Sequence, residues 1–185
     1  MDIRYLKGVG EKRAAQLARL GIRTVDDLLG FYPRDYVDYS HPYPVAGAPY
    51  DVKCVVRATV YGKNGGARIR GGRQMAKATA GDDTASLILT YFNNPYALQK
   101  LEVGREYLFF GKVGGTFTAR EMVNPVMLTV ESAAASPLVP VYPQTEGVSS
   151  AYLAKCVRAA FASAPDIEEP LPAALIEKYL SLIHI

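Results

Sequence analysis

Between Val52 and Gly81 the sequence carries seven basic residues and no acidic one. Five of the seven fall in the stretch from Val60 to Ala80, VYGKNGGARIRGGRQMAKATA. The whole chain has a net charge of only +3, so outside this window 14 basic residues face 18 acidic ones. The positive charge is therefore local, and it predicts a surface that meets an anion. Arg68, Arg70 and Arg73 alternate with glycines at 65, 66, 71 and 72, which puts them on a hairpin tip able to follow a phosphate backbone. Arginine suits that task because its planar fork donates two hydrogen bonds to one phosphate. Arg57, Lys63 and Lys77 flank the tip and complete the expected phosphate-binding set. If several phosphates are neutralised, affinity must fall by roughly 0.7 to 0.9 log units per phosphate per log unit of salt. The competing reading is an ordinary solvated charged hairpin, which the lack of acidic residues in the window weakens.

Two further constellations bear on function. Along TASLILTYF, alternation that turns Leu87, Leu89 and Tyr91 inward turns Phe92 outward, and Tyr96 follows at the start of a short helix. An exposed Phe and Tyr beside a basic hairpin is what base stacking requires, at roughly 1 to 3 kcal/mol per stacked base. Equally, Phe92 could cap a barrel end and Tyr96 pack beneath the helix. The second constellation is LKGVGEKRAAQL, a glycine-hydrophobe-glycine turn in which Gly8 and Gly10 let backbone N–H groups at a helix N-terminus approach a phosphate. Such turns are also common without a ligand. For an enzyme, by contrast, the sequence offers little. It has no GxxxxGK[ST] loop, no HExxH and no GxSxG, and its histidines, His41 and His184, stand in a connector and near the C-terminus. No nucleophile is paired with a base, so no catalytic residue and no metal site is expected.

The elements that must position these residues follow from periodicity. Ala14, Leu17 and Ala18, then Val25, Leu28 and Leu29, recur at helical spacing. Gly21 stops the first helix, Thr24 with Asp27 forms a capping box for the second, and Pro33 ends it. The proline-rich YSHPYPVAGAP connector places a boundary near residue 49. Beyond it the period becomes two, with Cys54, Val56, Ala58 and Val60 on one face and Lys53, Arg57, Thr59 and Tyr61 on the other. RQMAKATA, TASLILTYF, REYLFFGKV and TFTAREMVN supply four more strands, and NPYALQKLEVG a helix between the third and fourth. That order fits the oligonucleotide/oligosaccharide-binding (OB) barrel. ESAAASP reads as a linker, and Ser149 or Ser150 caps a helix whose stripe is Leu153, Cys156, Val157, Ala160 and Phe161. A last helix is predicted through AALIEKYL. The expected class is α+β, mainly β: a helix-hairpin-helix-like segment over 1–48, a five-stranded OB barrel over 49–131, and a linker with helices over 132–185. At 185 residues and 49% apolar content the chain can bury such a core. Cys54 and Cys156, about a hundred residues apart, are expected as buried free thiols. No apolar run reaches membrane-span length and MDIRYLKG is no signal peptide, so the expected compartment is the cytoplasm.

Taken in order, four motifs resemble the N-terminal part of the RecG family of ATP-dependent branched-DNA helicases. They are L-x-G-V-G-x-x-x-A-x-x-L-x-x-L-G-I-x-T-V-x-D-L-L-x-x-x-P-R-x-Y over Leu6 to Tyr36, GGRQM, YFNNPY, and PVYPQTEGVS over Pro140 to Ser149. The resemblance implies a wedge domain that sits on branched DNA such as a stalled fork or a Holliday junction. Phe92 and Tyr96 would stack on bases where the strands part, and the basic hairpin would lie along the separated single strands. It also implies motor domains in cis, which would bind ATP and Mg2+; no cofactor is expected within this sequence, and no membrane partner. The ending YLSLIHI is shorter than the family's approach to the motor, so a truncated reading frame is expected, with the last five residues foreign. Two other readings stay open at this point: a general single-strand-binding barrel for DNA or RNA, and a scaffold whose helices after residue 150 dock a motor.

Overall fold

The computed structural model describes residues 1–68, 74–116 and 119–163. In chain order the elements are a 3-10 turn (Ile3–Tyr5), α1 (Glu11–Ala18), α2 (Val25–Leu29), β1 (Asp35–Asp38), β2 (Lys53–Arg68), β3 (Gln74–Gly81), β4 (Ser86–Phe92), α3 (Pro95–Lys100), β5 (Glu106–Gly115), β6 (Arg120–Val123), β7 (Val126–Thr129), α4 (Val130–Ala135), β8 (Leu138–Val141) and α5 (Ser150–Ser163). Contacts divide the chain into two compact units, one formed by Met1–Asp35 with the chain from Pro140, the other by Tyr36–Val139. No helix among the described residues is long and apolar enough to cross a membrane.

In the first unit the capping box forms as the sequence requires. Thr24 Oγ1 accepts the Asp27 N–H, and the Asp27 carboxylate accepts the N–H groups of Arg23 and Thr24. Those donors favour the charged form and hold the Asp27 carboxyl below its usual range. Gly21, at φ +81°, ends the preceding turn in the left-handed conformation that glycine adopts without strain. Ser149 caps α5 by accepting the Tyr152 N–H. The helices bury one core in which Leu17, Ile22 and Leu28 pack with Leu153, Cys156 and Ala160. Sequence reading assigns 1–48 and 132–185 to separate segments, but neither set fills a core alone, and here they share one. Phe161, expected on the apolar stripe, is instead 58% exposed.

In the second unit five strands close a barrel. β2 pairs with β3 and with β5, β3 with β4, β4 in parallel with β6, and β6 with β5. With α3 between the third and fourth strands of this ring, the topology is that of the OB fold. Alternation places Cys54, Val56, Ala58 and Val60 inside with Leu87, Leu89, Phe109, Val113 and Met122. Cys54 and Cys156 are buried free thiols, one in each core, and burial raises both thiol pKa values.

Three boundaries differ from the sequence expectation. The predicted fifth strand over 116–124 is shorter, at Arg120–Val123, and a further strand, β7, continues along β5. The small-residue linker after Val130 is helical, because Thr129 accepts the Ser132 N–H and its alanines favour a helix. The proline-rich connector belongs to the barrel: Val45 and Ala48 enter its core, and Asp82 and Thr84 accept the N–H groups of Val45 and Ala46. Arg120 fastens the same segment from inside. Its buried guanidinium donates to the carbonyls of Ala46 (2.7 Å) and Ala48 (2.8 Å) and lies 4.7 Å from the centre of the Tyr50 ring. The helix predicted through AALIEKYL lies outside the described residues.

Candidate nucleic-acid interface

The end of β4 is built by asparagines. Asn93 and Asn124 sit at φ +53° and +47°, a region that asparagine tolerates better than most side chains. Asn93 donates its N–H to the Gln74 carbonyl (2.8 Å) while its side-chain oxygen accepts the Gln74 N–H (3.2 Å). Asn124 donates its N–H to the Thr90 carbonyl and accepts the Phe92 N–H on its side-chain oxygen (2.8 Å). Phe92 is thereby fixed at its backbone, while its ring stays outside the barrel core and half-buried. Pro95 opens α3, where the missing N–H costs nothing. Tyr96 stands 69% exposed and does not pack beneath the helix. Leu98 and Leu101 anchor α3 in the barrel core.

The cations are placed differently from the sequence expectation. Lys63 donates to the carbonyls of Leu101 (2.6 Å) and Leu98 (3.3 Å), so it ties β2 to the C-terminal end of α3 instead of standing ready for a phosphate. A cation there also meets the negative end of the helix dipole. Arg57 is paired with Glu106 at 2.7 Å, which raises its pKa through that hydrogen bond and charge. Lys77 lies 3.8 Å from Glu121, whose same oxygen accepts the Thr90 hydroxyl. The acids missing from the 52–81 window are thus supplied by β5, which pairs with β2, and by β6, one strand beyond β4. Arg70, Arg73 and the side chain of Arg68 lie outside the described residues.

Between the β2–β3 pair and α3 lies a cleft of about 400 Å³ whose walls include Lys63, Asn64, Gln74, Tyr91, Asn94 and Gln99. Burial pushes the Tyr91 hydroxyl up to about 12, so it stays protonated. Gln74 and Asn94 stand within the GGRQM and YFNNPY motifs, but no sequence expectation groups them with Asn64 and Gln99, because nothing in their spacing along the chain brings the four together. Register does so: Gln74 opens β3 beside the Asn93 turn, Asn64 pairs with Lys77 across β2 and β3, Asn94 is the N-cap of α3 and Gln99 lies in its last turn.

In the first unit, Gly8 takes φ +91° and Gly10 is the N-cap of α1 at φ −94°, without a side-chain cap. Val9 between them is buried. The Gly8 carbonyl accepts the Tyr152 hydroxyl at 3.0 Å, and Arg13 lies 4.7 Å from the centre of that tyrosine ring while donating to the Gly147 carbonyl. The turn therefore already serves the packing of α1 on α5 and on the VYPQTEG box.

Residues 2–164 match the family described as the RecG wedge domain. The ATP-dependent DNA helicase RecG of Escherichia coli strain K12 is 33% identical over 186 residues, which cover 96% of this chain and 26% of that protein. The RecG of Thermotoga maritima is 30% identical over 184 residues, again 96% of this chain and 23% of the relative. The chain thus spans about a quarter of the length of these curated relatives. Among solved structures, RecG bound to a three-way DNA junction superimposes with a TM-score of 0.82 and 26% identity, over 98% of this chain and 25% of that one. By motif, by identity and by superposition, the chain belongs to the RecG wedge-domain family.

Proposed function

We propose that this chain recognises branched DNA and holds its strands apart at the junction, as the wedge of a larger ATP-driven helicase. The observation that carries the reading is the corner formed by Phe92 and Tyr96, one fixed at its backbone by Asn124 and the other exposed on α3. Opening a junction sacrifices base stacking of about 1.4 kcal/mol per step. Stacking a freed base on an aromatic face returns roughly 1 to 3 kcal/mol, enough to offset one lost step. The sides of an intact duplex offer no base face to such a corner, so the gain arises only where strands part. The basic hairpin then steers the backbones of the separated single strands by charge. The names of the relatives, and the junction bound to the superimposed RecG, support this reading. In it, ATP and Mg2+ act in motor domains in cis, while the wedge residues contribute stacking and position.

The test is fluorescence anisotropy of this chain with a three-way fork, a plain duplex and a single strand, each at two salt concentrations. Preference for the fork at both salts supports the wedge reading. Equal affinity for fork and single strand overturns it and leaves a general single-strand-binding barrel.

A further inference from the structure

We infer that the cleft between β2–β3 and α3 receives one unstacked nucleobase, read along its hydrogen-bonding edge by amide side chains. The inference rests on the proposed DNA-binding function and adds a second kind of contact to it. The cleft's volume of about 400 Å³ lies near the small end of sites that enclose compact ligands, too small for a duplex. Its walls combine an apolar side, Tyr91 and Leu98, with the amides of Asn64, Gln74, Asn94 and Gln99. Among the described residues, the hydrogen bonds at these four run through their main chains, which leaves the side-chain amides for a ligand.

The chemistry of the walls separates a base from a phosphate. A phosphate only accepts hydrogen bonds, so a site shaped for it collects cations and N–H donors. Among the described residues the cation in its walls is Lys63, which already gives two of its three N–H bonds to Leu98 and Leu101. An amide presents donors and an acceptor together, which is what the edge of a base also presents. Because an amide can turn over to exchange its oxygen and nitrogen, four of them accommodate any base without selecting one. The location agrees. Asn94 lies between Phe92 and Tyr96 in the chain, and Gln74 is bonded to Asn93, the residue after Phe92. A strand that stacks one base on the aromatic corner delivers a neighbouring base to the cleft.

The experiment measures anisotropy of the full chain on forks in which the base is removed, one position at a time, from the first unpaired nucleotides of each arm. The proteins are the wild type, the double variant Gln74→Leu with Gln99→Leu, the single variant Asn64→Leu, and Phe92→Ala. For the wild type, one abasic position should weaken binding about three- to tenfold, the scale of one or two net hydrogen bonds. The double variant should lose about that factor on the intact fork, show no further loss at that position, and keep the wild-type salt slope. Phe92→Ala should keep the sensitivity, since its stacking is a separate contact. Asn64→Leu tests the same cleft from the other wall should the double variant unfold. An abasic effect that survives Phe92→Ala yet is undiminished in the amide variants overturns the inference, as does the absence of any Phe92-independent abasic effect in the wild type. The two readings fail separately: fork preference whose abasic sensitivity is lost entirely in Phe92→Ala sinks the cleft alone, whereas abasic sensitivity lost in the amide variants without fork preference sinks the junction reading alone.

Discussion

Lys63→Met distinguishes a phosphate contact from a structural tie. α3 has six residues, too few to persist as an isolated helix, and it carries Tyr96 on its first turn. It is held by the burial of Leu98 and Leu101 and by the Lys63 ammonium on the carbonyls of those same residues. Hydrogen bonds from a charged donor contribute about 1.5 to 3 kcal/mol where solvent is excluded. Lys63 itself is exposed and water can replace part of each bond, so the expected loss is about 1 to 2 kcal/mol. For a chain of this size that lowers Tm by about 2 to 8 °C. Affinity for a fork should also fall, by a similar factor at every salt concentration, because α3 no longer presents Tyr96 in one position. The slope of log affinity against log salt should not change. Circular dichroism melting and a salt titration by anisotropy read both quantities on one preparation. An unchanged Tm with a slope shallower by about 0.7 to 0.9 would refute the argument, since that is the signature of one lost phosphate contact.

Three further outcomes are expected. Phe92→Ala should weaken fork binding by about 1 to 3 kcal/mol in anisotropy, the scale of one stacked base, and leave duplex binding nearly unchanged; equal losses on both would remove Phe92 from the wedge. Asn124→Gly should cost about 1 kcal/mol of stability for the lost hydrogen bond to the Phe92 N–H, and Asn124→Ala about 2 kcal/mol because alanine also resists φ +47°. Urea unfolding of the pair checks that order, and the reverse order would count against the backbone assignment. Arg120→Met should destabilise the barrel by about 2 to 4 kcal/mol, because the Ala46 and Ala48 carbonyls lose their charged donor inside the fold; a change below 0.5 kcal/mol in the same unfolding assay would show that water replaces it.

The OB topology was legible because the barrel strands alternate cleanly. Cys54, Val56, Ala58 and Val60 all face inward, and a period of two leaves no other way to bury them. The capping box was legible because its residues are three apart and act within one turn. What escaped depends on partners distant in sequence. Glu106 and Glu121 lie in strands beyond the basic window, so a reading by windows found positive charge where the fold forms pairs. Leu17 and Leu153 share a core although more than a hundred residues separate them. Arg120 stands unremarked within the predicted strand TFTAREMVN, and only the fold shows that it faces the carbonyls of a loop that precedes it by some seventy residues.

Those pairings change what the basic window means. Of its seven cations, Lys53 opens β2 at the far end from the hairpin, Arg57 and Lys77 are matched by carboxylates on the barrel wall, and Lys63 is engaged with the end of α3. A carboxylate beside Arg57 or Lys77 repels the phosphate that the cation would attract, and Lys63 has N–H donors committed to carbonyls, so these three add little to the attraction of a nucleic acid. The proposed electrostatic contribution then rests mainly on Arg68, Arg70 and Arg73, and three phosphates neutralised by them correspond to a salt slope of about 2 to 3 on a single strand. Such a term is modest and independent of sequence. It brings DNA to the wedge but does not separate a fork from any other strand, so discrimination falls to the uncharged groups beside it, the aromatic corner and the amide-lined cleft. High salt should therefore lower every affinity of this chain while leaving the ratio between fork and duplex nearly intact.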